Sequence, residues 1–369
     1  MNNSTQNNDT ECIYDSKMKD IHVHMAHFVL HVPVLVVIVF AGLITNALAF
    51  VILGKEGRTK KTSPVFILRI ISITDSFVLL MNLVKYALPE IFQFTGRLGS
   101  YFEFSMLASN AIWFSFATSK VFSIYLVILM TTDRWLACCR PLHARSWCTR
   151  KNAAIATVLI LIFSIVFSLP KLWTYEVKYV FDKCTNRLRP KSNLSTTFFH
   201  PIYLNLYVIT GYFLVYFLVP MLSIIIMNYM IVRAVRRSAG MRTCGNTNSQ
   251  QDIETIVTKR AVLVALAFFV LEGPSILFHI VTMFYKKKGL LITWLPILYD
   301  LSAINNCVNF FLYCLVGKKF RSQLKDLCYA PVKKMKKKIN RDRRKRQQTK
   351  RNGHHVKKSN CESTCISRI

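Results

Sequence analysis

The chain alternates long apolar stretches with short polar connectors. Seven of the apolar stretches reach about 20 residues or more, and a helix of that length crosses the ~30 Å hydrocarbon core of a bilayer. They lie at about residues 28–53, 64–88, 104–132, 153–173, 202–232, 261–284 and 291–316, and we number them spans one to seven. The pattern predicts an all-α membrane protein whose residues 28–316 form a bundle of seven transmembrane helices.

Charge and apolar content occupy different parts of the chain. Hydrophobic residues make up 52% of the 369 residues, yet the net charge is +31. A single soluble domain seldom combines these two properties. Basic residues concentrate in the first, third and fifth connectors, which we therefore expect to face the cytoplasm. An odd number of spans then places residues 1–27 outside the cell, in a multi-pass protein of the plasma membrane.

The predicted outer segments carry sites for extracellular modification. Glycosylation sequons of the Asn-x-Ser/Thr type occur at Asn2, Asn3, Asn8 and Asn193. Cys12 and Cys184 are the only cysteines in these segments, where thiols can be oxidised. A Cys12–Cys184 disulfide is one expectation, and two free thiols are the other.

Residues 331–369 form a basic tail that we expect to be disordered. Beside a membrane, a segment so rich in Lys and Arg is expected to lie on anionic lipid rather than to bind nucleic acid. The chain ends Ser367-Arg368-Ile369, which resembles a PDZ-domain ligand; an unstructured end is the alternative. Cys328, in the amphipathic stretch after span seven, suits palmitoylation, with an unmodified thiol as the alternative.

Two cytoplasmic strings carry a family resemblance. Residues 133–142 read D-R-W-L-A-C-C-R-P-L and resemble the D-R-Y-x-A-x-x-x-P-L signature of rhodopsin-like (class A) G-protein-coupled receptors. Asn309 to Tyr313 resembles the activation motif N-P-x-x-Y, with Phe310 in the proline place. That motif is followed in the family by a short amphipathic helix eight, expected here at 317–330. The string from 308 to 321, V-N-F-x-x-Y-x-x-x-G-x-x-F-R, is similar to invertebrate neuropeptide receptors, including FMRFamide-receptor-like ones.

The resemblance implies how the cytoplasmic end works. In the family the Arg of this signature is held inactive by the neighbouring Asp and by an acid at the inner end of span six, and is freed to meet a heterotrimeric G protein. The matching residues are Asp133, Arg134 and Glu254, although a solvated acidic face is the alternative for Glu254. Leu142 is expected to enter a pocket of the G protein.

A buried acid in span two implies a polar cluster. Asp75 lies deep in the bilayer, where an unpartnered carboxylate is costly. In related receptors a set of polar residues that includes this acid binds water and a sodium ion. The resemblance implies that the set consists here of Asn46, Asp75, Ser123, Asn305 and Asn309. Oxygen ligands suit such a hard cation. A hydrated or protonated Asp75 without sodium is the alternative, and no other cofactor is expected.

The resemblance also implies a ligand pocket between the spans. Its expected residues are Lys85, Phe116, Lys120, Glu272, His279, Tyr299 and Asp300. Their mixed charges suit a short extracellular peptide. Glu272 stands where the family has an aromatic toggle, and Ser109 stands where it has the cysteine that tethers span three to the fourth connector. We expect Lys120 and Glu272 to form an ion pair; a Lys120–Asp300 pair or a protonated Glu272 is the alternative.

Two other classes of receptor usually have a particular residue within a span that this sequence replaces. An opsin needs a Lys in the middle of span seven, where Ala303 stands. An amine receptor is expected to have an Asp in span three, where Phe116 stands, although Asp300 is an alternative acid for an amine. A transporter or channel is the remaining alternative, because ionisable groups within spans often line transport paths. No phosphate-binding loop or nucleophile motif supports an enzyme.

Overall fold

The structure is a computed structural model of the chain. The structure describes residues 21–59, 62–94, 104, 106–182, 186–241, 263, 266–275, 277–278, 288–316, 320–327, 329, 335 and 340. Within this part of the chain, five helices are long and apolar enough to cross a membrane. These correspond to spans one to five and are His31–Lys55, Ser63–Ile91, Ser109–Cys139, Arg150–Trp173 and Ile202–Arg237. The first five predicted spans are therefore confirmed as helices.

The remaining two spans are helical where they are described. Span six contains the apolar helix Leu266–Ser275, and span seven is the helix Lys288–Val316. A short helix, Pro141–Trp147, follows span three. Residues 320–327 are also helical and fall inside the 317–330 segment. The full extent of helix eight stays a prediction.

The local sequence explains where several spans begin and how they change pitch. Thr149 caps span four, because its side chain accepts a hydrogen bond from the Asn152 amide at 3.2 Å. Pro64 occupies the first turn of span two, where a missing amide proton costs nothing. Span two winds as a π-helix over Leu83–Ala87, and span five does so over Ile202–Gly211 and Phe213–Leu218. Such segments often mark functional sites, and here they flank a cavity.

The fourth connector folds as a β-hairpin, which the sequence analysis did not predict. Strands β1, Tyr175–Asp182, and β2, Arg187–Leu194, pair antiparallel with Tyr175 opposite Leu194. The sequon residue Asn193 lies on β2 and is exposed. Pairing satisfies the backbone groups of a long connector, so the hairpin has a defined position above span three.

Two apolar clusters hold the spans together. The first joins spans three, five and six through Val121, Ile124, Val127, Tyr216, Met221, Ile224 and Phe268. The second joins spans one, two and seven through Val32, Leu35, Val39, Leu79, Ala87, Ala303 and Cys307. Hydroxyl groups inside the spans bond to the preceding helical turn, as Thr131 Oγ1 does to Val127 O at 2.8 Å. Such bonds are needed because lipid offers no partner to a polar group.

Gly42 marks the closest approach of spans one, two and seven. A Cβ atom placed there would collide with Cys307 Sγ and with Leu79 Cδ1. We therefore expect Gly42→Val to destabilise the protein by about 1–3 kcal/mol, the usual cost of overpacking. The thermal unfolding midpoint of the purified protein measures the loss. Gly54→Val is the matched control, because a Cβ at Gly54 meets nothing nearer than Arg69 at 3.8 Å; equal midpoints for the two variants would contradict the packing.

Candidate functional site

A buried triad of polar side chains joins spans three, six and seven. Lys120 Nζ lies 2.9 Å from Glu272 Oε1 and 3.0 Å from Oε2, so the predicted ion pair is confirmed. Lys120 also donates to Ser302 Oγ at 2.6 Å, and the Ser302 hydroxyl donates to Glu272 Oε2 at 2.9 Å. The charged side chains are 7% and 4% exposed. Hydrogen bonding to both charges offsets much of the cost of burying them.

The triad forms part of the floor of a cavity of about 300 Å³. Five of the seven predicted pocket residues line it: Lys85, Phe116, Lys120, Glu272 and Tyr299. Eight of the nineteen lining residues are aromatic, with Tyr86, Trp113, Tyr175, Phe198, Tyr212 and Tyr216 joining the predicted rings of Phe116 and Tyr299. Lys171 is a further charged lining residue. The cavity thus combines ammonium groups, one carboxylate and several ring faces.

Aromatic rings surround the ammonium of Lys85. Its Nζ lies 3.3 Å from the centroid of the Trp113 ring, 3.9 Å from that of Phe116 and 4.6 Å from that of Tyr86. Nζ also donates to the Tyr86 hydroxyl at 2.7 Å. Tyr86 in turn stacks on Tyr299, with the ring centroids 4.2 Å apart. Lys85 sits in the π-helical turn of span two, and cation–π contacts stabilise its charge.

Lys171 brings a second ammonium to the cavity from the end of span four. The side chain is buried, and its Nζ lies 4.6 Å from the centroid of the Tyr212 ring and 5.5 Å from that of Tyr207. The sequence analysis did not include Lys171 among the pocket residues. A basic residue directly after Pro170 at the end of an apolar span was the available signal, since charges within spans are seldom placed without a function.

Asp300 is the predicted pocket residue that the structure places elsewhere. Its Oδ2 lies 3.1 Å from His31 Nδ1, so span seven is joined to span one at this point. It does not line the cavity. The physical reason is that the carboxylate finds a polar partner on span one, which removes the alternative Lys120–Asp300 pair from the described structure.

The acid of span two has two direct partners from the predicted cluster. Ser123 Oγ donates to Asp75 Oδ1 at 2.8 Å, and Asn309 Nδ2 donates to Asp75 Oδ2 at 2.8 Å. Asn46 instead donates to the backbone oxygen of Asn306 at 3.0 Å. The structure shows no hydrogen bond between Asn305 and Asp75. The buried neighbour Asn306, which the sequence analysis did not choose, donates to Ser302 O at 2.8 Å.

The predicted polar cluster carries oxygen atoms of the kind that suits a sodium ion. A carboxylate, the Ser123 hydroxyl and the amide oxygen of Asn46 are all hard oxygen ligands. Asn46 Oδ1 is buried and forms no hydrogen bond within the described residues, so one oxygen is available to a cation. The same part of the chain holds no group of three or more His, Cys, Asp or Glu side chains that could form another metal site.

The C-terminal end of span three holds the predicted Asp–Arg pair. Arg134 Nη2 donates to Asp133 Oδ2, and the Ser63 hydroxyl donates to Asp133 Oδ1. Ser63 is a partner that the sequence analysis missed. Leu142 lies in the helix that follows and is 79% exposed. Burial raises the pKa of the nearby Cys148 thiol to about 11, which keeps it protonated as a donor to the Asp133 carbonyl.

Several predicted residues lie outside the described residues. These are Asn2, Asn3, Asn8, Cys12, Cys184, Glu254, His279, Cys328 and the C-terminal Ser367, Arg368 and Ile369. Tyr313 lies in the helix of span seven, and only its backbone is described.

Hydrogen bonds connect span three to the β-hairpin where the family has a disulfide. Asn110 Nδ2 donates to Tyr175 O at 2.8 Å, and Tyr175 N donates to Asn110 Oδ1 at 2.9 Å. The hydroxyls of Ser109 and Ser192 lie 3.4 Å apart beside this pair. Burial raises the pKa of Tyr175 to about 12, so its ring reaches the cavity as a neutral phenol. The amide pair therefore fixes one wall of the cavity without a disulfide.

Removing the Asn110 side chain should loosen this wall. We expect Asn110→Ala to lower the free energy of unfolding by about 1–3 kcal/mol, because two partly buried backbone groups of Tyr175 lose their partner. Thermal unfolding of the purified protein measures the change. Asn205→Ala, at an exposed asparagine of span five, should leave the midpoint unchanged. If the unfolding midpoint of Asn110→Ala equals that of the wild type, the two hydrogen bonds between Asn110 and Tyr175 do not stabilise the hairpin.

Comparison with known proteins agrees with this arrangement. The model of the seven-transmembrane receptor family of the rhodopsin type matches residues 45–313. The FMRFamide receptor of Drosophila melanogaster is 26% identical over 76% of the chain, and the chain covers 50% of that receptor's length. The mouse neuromedin-U receptor 2 is 25% identical over 81% of the chain and 75% of its own length. The rat somatostatin receptor type 5 is 26% identical over 80% of the chain and 77% of its own length.

The chain therefore belongs to the rhodopsin family of seven-transmembrane receptors, as its cytoplasmic motifs and helical bundle indicated. This family assignment sets aside the transporter or channel alternative. Two of the charged groups within the spans have direct polar partners, since Lys120 pairs with Glu272 and Asp300 contacts His31.

Proposed function

We propose that the protein is a receptor that binds an extracellular peptide and activates a heterotrimeric G protein on the cytoplasmic side. The observation that carries this proposal is the charged, aromatic cavity at one end of span three, with the Asp133–Arg134 pair at the other. Lys120 and Arg134 are fourteen residues apart, which is about 21 Å along a helix. A ligand in the cavity and a partner at Arg134 can thus act on one rigid element.

The relatives support a peptide as the ligand. The matched receptors are named for FMRFamide, neuromedin-U and somatostatin. The cavity of this chain has both charges and ring faces, which suit the backbone and side chains of a short peptide better than an uncharged lipid. The N-terminus is then extracellular, since the basic connectors lie on the G-protein side.

The Lys120–Glu272 pair gives the mechanism of activation. It joins span three to span six in the position of the aromatic toggle and restrains span six until a ligand disturbs it. Ser302 extends the restraint to span seven. Movement of span six then frees Arg134 to meet the G protein beside Leu142, which is already exposed. Asn309, which bonds Asp75, and Tyr313 belong to the same activation path, and a sodium ion at Asp75 would favour the resting state.

The proposal also covers modifications and further partners. We include in the proposal glycosylation at the four sequons, palmitoylation of Cys328, contact of the basic tail with anionic lipid, and capture of the C-terminus by a PDZ domain.

A peptide-library screen in transfected cells tests the proposal. The full-length receptor is expressed at the cell surface, and calcium and cyclic AMP are recorded after addition of each peptide pool. We expect a concentration-dependent response to at least one peptide in receptor-expressing cells and none in untransfected cells. A response to lipids or nucleotides alone would overturn the peptide assignment.

A further inference from the structure

Ammonium groups outnumber carboxylates in the cavity. Its described lining includes Lys85, Lys120 and Lys171, but Glu272 is the one carboxylate among them. Both oxygens of Glu272 lie within 3.0 Å of Lys120, and one also accepts the Ser302 hydroxyl. Glu272 is therefore already neutralised by a neighbour on span three. A cationic group of a ligand would meet two further ammonium groups and no free acid in the described lining.

Lys85 and Lys171 have rings as neighbours instead of acids. Within the described residues, neither ammonium forms a salt bridge. Lys85 gives one hydrogen bond to a phenol and packs on three rings, although an ammonium has three donors. Lys171 is buried at 6% exposure against the rings of Tyr207 and Tyr212. Ring faces stabilise such a charge but do not neutralise it, so each retains a strong preference for an anion.

Both groups line one cavity, whose wall also carries eight aromatic side chains. An anion there would exchange water for two ammonium partners in a site of low dielectric, where charge-assisted hydrogen bonds are short and strong. The rings that hold the ammonium groups would contact the apolar part of the same ligand. The anionic group that a peptide carries is a carboxylate, either at its C-terminus or on an Asp or Glu side chain.

We infer that this receptor selects a peptide with a free carboxylate, which Lys85 and Lys171 bind, rather than a peptide whose recognised group is basic or amidated. The inference rests on the proposed function, because it names the chemistry of the peptide for the same cavity. It gives Lys85 and Lys171 the role of specificity determinants. Lys120 is excluded from this role by its pairing with Glu272.

Four matched peptides test whether the receptor prefers a carboxylate, and whether that carboxylate is on a side chain or at the C-terminus. N-acetyl-Phe-Glu-amide carries a side-chain carboxylate, and N-acetyl-Phe-Gln with a free C-terminus is its isomer with a terminal carboxylate. N-acetyl-Phe-Gln-amide is neutral, and N-acetyl-Phe-Lys-amide is basic. Ligand-observed NMR titration of the purified full-length receptor in lipid nanodiscs gives a dissociation constant for each. At least one carboxylate peptide should bind tenfold or more tightly than the neutral one, and whichever does so identifies the source.

Substitutions at Lys85 and Lys171 test whether these two lysines cause the preference for a carboxylate. Lys85→Met and Lys171→Met should each reduce the carboxylate preference at least threefold, since Met removes the ammonium while leaving an unbranched apolar side chain to fill most of the space. Lys85→Arg should retain the preference and thereby separate loss of charge from loss of fold. Lys178→Met is the matched control, because that lysine is 61% exposed on β1 and lies outside the cavity.

The outcome does not depend on G-protein coupling, because binding is measured without a G protein. Tighter binding of the basic peptide, or equal binding of the neutral and both carboxylate peptides, would overturn the inference. A carboxylate preference that is unchanged in Lys85→Met and Lys171→Met would also overturn it. A receptor that fails every G-protein assay but keeps the carboxylate preference would instead refute the proposed function.

Discussion

Exchanging the charges of Lys120 and Glu272 should restore much of what either single substitution destroys. Lys120→Glu places two carboxylates, and Glu272→Lys two ammonium groups, at a buried contact that measures 2.9 Å in the native protein. Breaking a buried pair costs about 3–5 kcal/mol, and a like-charge pair costs at least as much. We expect each single variant to signal without ligand or to lose most of its surface expression. The double variant should recover at least part of both properties.

Ser302 makes the exchange feasible. In the native triad its hydroxyl accepts from Lys120 and donates to Glu272. Because a hydroxyl can both donate and accept, the same group serves the reversed pair after rotation about its C–O bond. Basal cyclic AMP or calcium, normalised to surface receptor measured by antibody binding, should be compared among the wild type, both single variants and the double variant. The coupling energy follows from that cycle.

An exposed pair in the same protein is the control. Lys178 and Glu176 on β1 lie 3.3 Å apart, with side chains 61% and 48% exposed. Surface pairs contribute about 0–1 kcal/mol, so reversing this one should leave expression and signalling unchanged. If the losses in Lys120→Glu and Glu272→Lys simply add in the double variant, the two residues do not act as a restraining pair.

Substitution of Arg134 should abolish G-protein coupling while leaving the receptor at the cell surface. Asp133 keeps the Ser63 hydroxyl as a partner after Arg134→Ala, so the end of span three should stay folded. Leu142→Asp should act in the same way, because a side chain that is 79% exposed contributes little to folding but is expected to enter the G protein. We expect agonist-stimulated signalling to fall at least tenfold in both variants at equal surface expression.

Two further variants complete this test. Leu188→Asp changes a leucine that is 64% exposed on β2 and should signal normally. Glu254→Gln should raise ligand-free signalling, since the acid is predicted to hold Arg134 in the resting state. Wild-type signalling in both Arg134→Ala and Leu142→Asp would remove the proposed coupling surface.

Depth along a helix was predictable from the sequence. At about 1.5 Å per residue, Lys120 lies about 21 Å from Arg134 and Glu272 about 18 Å from Arg260, so the sequence puts the two at one level of the bilayer. The structure confirms their contact. The same reasoning could not tell which way Asp300 faces, because rotation of a span depends on packing across the bundle. Its partner His31 is 269 residues away in the chain. Ser302 and Ser63 were missed for a related reason, since single hydroxyls leave no periodic signal.

The β-hairpin had a signal that the sequence analysis did not use. Tyr175, Val177, Tyr179 and Phe181 alternate with other residues, which is the period of a strand. The π-helical segments of spans two and five show no comparable pattern in the sequence. Whether a helical turn takes up an extra residue depends on how the helix packs against neighbouring spans. The aromatic surroundings of Lys85 follow from such a turn, and that environment was therefore not predictable from residue types alone.

Nucleotide exchange on purified heterotrimeric G proteins tests the central claim most directly. The full-length receptor in lipid nanodiscs is mixed with G proteins of each Gα class, and binding of a non-hydrolysable GTP analogue is followed with and without the active peptide pool. The account predicts peptide-dependent acceleration for at least one Gα class, and none with Arg134→Ala. Absence of acceleration with every G protein, or equal acceleration by Arg134→Ala, would contradict it.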